Sequence, residues 1–193
     1  MARPKIFNEE DVIDKAVKVF WAKGYEATSM QDLVNAMGIQ RGSLYATFGS
    51  KQQLFLKSLN RYSVTVVKSL LEILNSKPSA IESIELFFDQ LVEHLLTAGE
   101  LRSCLVTNSA IERGLSDNET KQLVLQLLKA LENGFYNSLL RAKENSEIST
   151  EIDLKQLASY LTSSMQGLLV IGKVCSEKSV LEGINQVTLS VLK

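Results

Sequence analysis

Gln40, Arg41, Ser43, Tyr45 and Thr47 crowd five hydrogen-bonding side chains into one short stretch of a 193-residue chain. These are side chains that read a DNA major groove. Arginine is bidentate to guanine, glutamine to adenine, and threonine or tyrosine contacts a phosphate or a thymine methyl. Catalytic chemistry has less to work with. One histidine (His94) and two cysteines (Cys104 and Cys175) leave metal sites and histidine-based catalysis short of ligands. The residue inventory therefore implies no enzyme, no cofactor and no metal.

The flanking sequence supplies elements to position those side chains. Residues 28–48 read as a helix, a glycine-centred turn from Met37 to Gln40, and a second short helix, the spacing of a helix-turn-helix. Gly38 supplies the left-handed conformation that ends the first helix. Leu33, Val34, Met37, Ile39, Leu44 and Phe48 can pack the pair onto a preceding helix through Val12, Ala16, Val19 and Phe20. The polar set then falls on the outer side of the second helix.

The block Phe20-Trp-Ala-Lys-Gly-Tyr-Glu-Ala-Thr-Ser-Met-Gln-Asp-Leu-Val, followed by Met37-Gly-Ile-Gln-Arg-Gly-Ser-Leu-Tyr-Ala-Thr-Phe-Gly-Ser-Lys-Gln-Gln-Leu, closely resembles the DNA-binding domain of TetR-family transcriptional regulators. The resemblance implies homodimers that bind a palindromic operator in double-stranded DNA, usually repress, and are released by a small-molecule effector. It places Gln31, Gln40, Arg41, Gly42 and Ser43 against bases or nearby phosphates, and Tyr45 on the sugar-phosphate backbone. Thr28 and Lys51 resemble phosphate anchors. Thr47 stands where histidine is common, and Ala46 where a larger side chain often stands, so the operator sequence is open. Arg3 and Lys5 are candidates for an adjacent minor groove.

Charge alone is misleading here. The chain carries 21 Lys and Arg against 22 Asp and Glu, a net of −1. Through Arg61 the balance is nine basic against six acidic, and from Tyr62 it is 12 against 16, so a basic head is averaged with an acidic body. With no signal-like N-terminus and no apolar run long enough for a membrane span, a cytoplasmic protein is expected.

Helix signals recur along the whole chain. A capping pattern opens seven apolar-periodic runs, at Asn8, Thr28, Ser50, Ser79, Ser116, Thr150 and Ser179. No segment alternates with period two. The expected fold is all-α with about nine helices, over 8–23, 29–36, 40–48, 51–75, 79–97, 101–113, 117–144, 151–175 and 179–192. A helix-turn-helix domain spans 1–50 and a helical ligand-binding and dimerisation domain spans 51–193. Gly167-Leu-Leu-Val-Ile-Gly-Lys173 imitates a phosphate-binding loop, but it lacks the closing Ser or Thr and follows no strand.

Two heads about 34 Å apart can read a palindrome, which one head cannot. The last two helices are the candidate dimer face: Ser159, Ser163 and Gly167 allow close approach, and Leu157, Leu161, Met165, Leu168, Val174, Val180, Ile184, Val187 and Val191 supply apolar area. Cys104 lies in Cys104-Leu-Val-Thr-Asn108-Ser-Ala-Ile-Glu112, which resembles a segment of one TetR subgroup, with Ser103 in place of the usual glycine. Some members of that subgroup sense electrophiles or oxidants through this cysteine. Such chemistry needs a thiolate, hence a nearby cation (Arg102 or Lys173) or a helix N-terminus; Cys175 is a candidate resolving thiol. The alternative is a pocket-lining cysteine. Asn108, Glu112 and His94 are candidates to orient a non-covalent ligand. A helical ligand-binding or protein-interaction adaptor without DNA would keep the same fold, yet would not require Gln40, Arg41, Tyr45 and Lys51.

Overall fold

Side-chain caps set where most of the helices begin. The computed structural model describes residues 7–99, 103–149 and 151–192, and within them every regular element is helical. Asn8 caps α1 (Glu9–Lys23), Ser29 caps α2 (Met30–Met37), and α3 (Arg41–Phe48) starts after Gln40. Ser50 and Gln53 form a reciprocal box at the start of α4 (Lys51–Tyr62). A single π-helical turn, Ser63–Val67, carries α4 without a break into α5 (Lys68–Ile73). The body continues through α6 (Ala80–Thr97), α7 (Leu105–Arg113), α8 (Asn118–Glu144), α9 (Leu154–Val174) and α10 (Lys178–Ser190). With the α4–α5 rod taken as one, the described residues form nine helical rods, as expected from the sequence.

Several boundaries differ from the sequence expectation, for local reasons. Two cap-competent residues stand side by side at 28–29 and at 116–117, and the second wins each time. Asp153 caps α9 by accepting from the N–H groups of Lys155 and Gln156, and Thr150 lies outside the described residues. Glu177 precedes α10 without a side-chain cap. The π turn interrupts the helix expected over 51–75. There the Ser63 hydroxyl donates to the Asn60 carbonyl and the Thr65 hydroxyl to that of Arg61, competing with the helical ladder in a β-branched run.

One continuous core runs from head to body. In the head, Val12, Ala16, Phe20, Leu33, Met37, Leu44 and Phe48 are buried, with Val17 replacing the expected Val19 as the more deeply buried valine. Arg61 on α4 fixes α1 by a bidentate pair to Asp14 (2.7 and 2.9 Å), which holds that carboxyl below its ordinary range, and by a contact to Glu10 at 3.1 Å. In the body, Phe87, Phe88 and Phe135 pack ring on ring between α6 and α8. Among the described residues no helix is long and apolar enough to cross a membrane.

Candidate nucleic-acid interface

The α2–turn–α3 unit owes its shape to three local devices. Ser29 and Asp32 form a capping box at the start of α2, and hydrogen bonds from Lys23 and Ser29 hold the Asp32 carboxyl well below the usual range. Gly38 ends α2 at φ 69° and ψ 27°, a left-handed conformation that favours glycine. Leu33, Met37, Leu44 and Phe48 then bury the inner faces of both helices.

What remains outside is the set expected to read DNA. Gln31, Gln40, Arg41, Gly42 and Tyr45 are exposed, and Ser43, Thr47 and Lys51 are half-buried. The Arg41 guanidinium lies 5.8 Å from the Tyr45 ring centroid, so neighbouring turns of α3 share one face. Gln31 donates to Asn35 at 2.8 Å on α2. A Cβ added at Gly42 would meet nothing within 4 Å, so the space in front of it is open to a partner.

Thr28 corrects the expectation. It is 1% exposed, its hydroxyl donates to the Gly24 carbonyl and its N–H to the Tyr25 carbonyl. The side chain is spent closing the α1–α2 turn, and the exposed cap is Ser29. Lys51 also has a partner within the fold, its ammonium standing 4.3 Å from the Tyr25 ring centroid. Arg3 and Lys5 lie outside the described residues.

The head is joined to the body through α7. Glu112 accepts the Tyr25 N–H at 2.7 Å, Arg113 stands 4.5 Å from the Tyr25 ring centroid, and Arg113 pairs with Glu26 at 3.1 Å. Gly24, at φ 80° and ψ 178°, holds a backbone conformation that favours glycine, and a Cβ there would push the Glu112 carboxylate aside.

Known proteins are similar to this chain over its full length. The family described as bacterial regulatory proteins, tetR family, matches residues 12–57, and the tetracyclin repressor-like C-terminal domain matches residues 80–187. The uncharacterized HTH-type transcriptional regulator YezE of Bacillus subtilis (strain 168) is 38% identical over the full length of both chains. The HTH-type transcriptional repressor ComR of Escherichia coli (strain K12) is 27% identical, over 99% of this chain and 90% of its own. Among solved structures, a cysteine mutant of the TetR family transcriptional regulator CifR, complexed with 26-bp double-strand operator DNA, superposes with a TM-score of 0.88. It is 26% identical, with 97% of this chain and 98% of that one covered. The chain belongs to the TetR family. It is a helix-turn-helix transcriptional regulator and not an enzyme.

The body of this TetR-family regulator holds a cavity of about 200 Å³ where head and body meet. Trp21 on α1 forms part of the wall, with its indole N–H donated to the Ser103 carbonyl. Its ring meets Tyr62 edge-on at 4.9 Å and stacks on His94 at 6.1 Å. Cys104 also lines the cavity. It is 6% exposed, occupies the cap position of α7, and accepts the Tyr62 hydroxyl at 3.5 Å. Burial, reinforced by that thiol, pushes the Tyr62 hydroxyl well above its ordinary pKa.

The structure keeps His94 in the cavity wall with Cys104, and it sets the other described sensor candidates apart from that wall. Lys173 donates to Asn108 at 3.1 Å, and Asn108 donates to the Ser103 hydroxyl at 3.1 Å. Neither lines the cavity, so both brace the α7 entry rather than face a ligand. Arg102 lies outside the described residues. Cys104 and Cys175 are both free thiols. Glu112 serves the head–body joint and not a ligand. Trp21 and Tyr25 were not among the sequence candidates; the signal for Trp21 was its being the sole tryptophan in an otherwise ordinary helix.

Proposed function

We propose that this regulator is a cytoplasmic homodimeric repressor that binds a palindromic operator in double-stranded DNA and is released by a signal received in its body. Residues 1–50 act as the reading head and 51–193 as the ligand and dimer body. Arg41 and Gln40 read bases. Gln31, Gly42, Ser43, Tyr45, Thr47 and Lys51 contact bases, sugars or phosphates and set the register. The observation that carries this reading is the outer face of α3, where Gln40, Arg41 and Tyr45 are exposed while Leu44 and Phe48 behind them are buried. The CifR structure, solved on operator DNA, supports it.

The dimer reading rests on α9 and α10. A groove between them is lined by Tyr160, Ser164, Gly167, Ile171, Val180 and Val187 among others, several of them exposed apolar residues. Gly167 and Gly183 have nothing within 4 Å of an added Cβ, which leaves room for a partner's backbone. Of the residues expected from the sequence, Gly167, Leu168, Val180, Ile184 and Val187 line this groove. Leu157, Leu161 and Met165 are buried in the protomer's own core, and Ser159 donates to Glu132 at 2.7 Å.

The signal acts on the cavity as a small molecule, or as an electrophile or oxidant reaching Cys104 at the start of α7. Purified protein incubated with sheared genomic DNA and sequenced after capture tests the reading. An enriched inverted repeat, bound by a dimer, is expected. Absence of an enriched motif overturns it, and leaves the DNA-free adaptor. If Cys104→Ser releases operator on oxidant treatment as readily as wild type, the cysteine is no sensor.

A further inference from the structure

The wall of the cavity carries more information than its position. Its lining side chains come from α1, α4, the π turn, α5, α6, α8, α9 and the entry to α7, and among the described residues none is Asp, Glu, Lys or Arg. Val67, Leu91, Leu131, Met165 and Leu169 are buried apolar side chains. Polar capacity comes from Tyr62, His94 and Ser103, each in contact with Trp21, and from Gln90, which is exposed to solvent. A carboxylate or ammonium placed there would lose its hydration, with no fixed ion among the described lining residues to replace it.

From this wall we infer that the effector of this protein is an uncharged single-ring molecule with one hydrogen-bonding substituent, seated against Trp21. The inference rests on the regulatory reading above and gives its ligand a chemical class. Size agrees: an apolar cavity of roughly 150 Å³ takes up benzene, and this one, at about 200 Å³, has room for a ring and a small substituent. The ring lies among Val66, Leu70 and Leu169, and the substituent turns toward Tyr62, His94 and Gln90. Because Trp21 belongs to α1, the occupant touches the reading head directly. Its indole is held by the carbonyl of Ser103, the residue before the α7 cap, and the far end of α7 grips Tyr25 through Glu112. A ligand that displaces Trp21 therefore acts on α1 from both ends of α7.

Trp21 is the sole tryptophan, so its emission reports the cavity alone. The full-length protein is titrated with acetophenone, with 4-methylphenol and with benzoate, a carboxylate isostere of acetophenone. Trp21 emission and saturation-transfer NMR are read together. The expected result is saturable binding of an uncharged probe with a Trp21 emission change, at least tenfold tighter than benzoate. The cavity-filling variants Val66→Phe and Leu70→Phe, each checked for wild-type helicity, lose that binding at least tenfold. Benzoate binding as tightly as the neutral probes overturns the inference. So does no binding of either neutral probe, or binding that leaves Trp21 emission and both variants unchanged. Operator binding by the ligand-free protein is measured separately. A protein that selects an operator but takes up no probe fails this inference alone, whereas one that selects no operator fails the regulatory reading.

Discussion

The Glu112 carboxylate accepts the backbone N–H of Tyr25 at 2.7 Å, joining the last turn of α7 to the turn that follows α1. A charged acceptor on a backbone donor contributes about 1.5–3 kcal/mol. Glu112→Ala should destabilise the protein by that order in urea unfolding. Glu112→Gln, which keeps an acceptor oxygen, should lose less. An Ala variant within about 0.5 kcal/mol of wild type would reduce the contact to a surface detail.

Arg41 is exposed and its loss should leave the fold intact. Arg41→Ala should cost roughly 1–3 kcal/mol on the cognate operator and little on random DNA, as a base-reading arginine does. Fluorescence anisotropy on both duplexes checks this. Equal losses on the two would make Arg41 a phosphate contact instead.

Lys51 is held over the Tyr25 ring at 4.3 Å, so its ammonium is already oriented when DNA arrives. Lys51→Ala should weaken binding to every sequence and lower the slope of log K against log salt by about one. An unchanged slope would assign Lys51 to Tyr25 alone.

What could be read from the chain, and what could not, follows from how far apart the deciding groups lie. The α2–α3 turn was legible because Gly38 and its apolar neighbours settle it within a few residues. Thr28 was not, since Thr28 and Ser29 are both competent caps; the choice falls to Asp32 and to the burial of Thr28 against Gly24. In α9 both the inner row (Leu157, Leu161, Met165, Leu168) and the outer row (Tyr160, Gly167, Ile171) include apolar residues. Periodicity alone therefore cannot say which row faces α8. The cavity was invisible because its lining runs from Trp21 to Leu169 and exists only once the helices assemble.

Val187 is 66% exposed in the α9–α10 groove, so a charge there meets water in the monomer and an apolar partner in a dimer. Val187→Glu should leave monomer stability within about 0.5 kcal/mol and shift the protein to monomers in analytical ultracentrifugation. Operator affinity should fall roughly a hundredfold or more, because two linked heads gain avidity that one lacks. A variant that remains dimeric at micromolar concentration would move the interface elsewhere.

Glu147 ties the loop before α9 to the start of α6. It accepts Ser79 Oγ at 2.6 Å, the N–H groups of Ile81 and Ala80 at 3.0 and 3.2 Å, and Asn145 Nδ2 at 2.9 Å. Burial by itself would push its pKa up, but the bonds from Ile81, Ser79, Asn145 and Ala80 together outweigh burial and hold it at about 2, against an ordinary 4.5. The folded-state value is the lower one. The ionised carboxylate therefore stabilises the fold fully above pH 4.5, and that contribution is lost as pH falls toward 2. Asp14, Asp32, Asp117 and Glu132 are lowered too, so acid sensitivity of the wild type alone would not identify Glu147. Glu147→Gln leaves those four in place and isolates it. The variant should melt below wild type at pH 7, and the gap in Tm should close between about pH 4.5 and about pH 2. A gap that stays constant across that range would mean that Glu147 caps α6 by shape and not by charge.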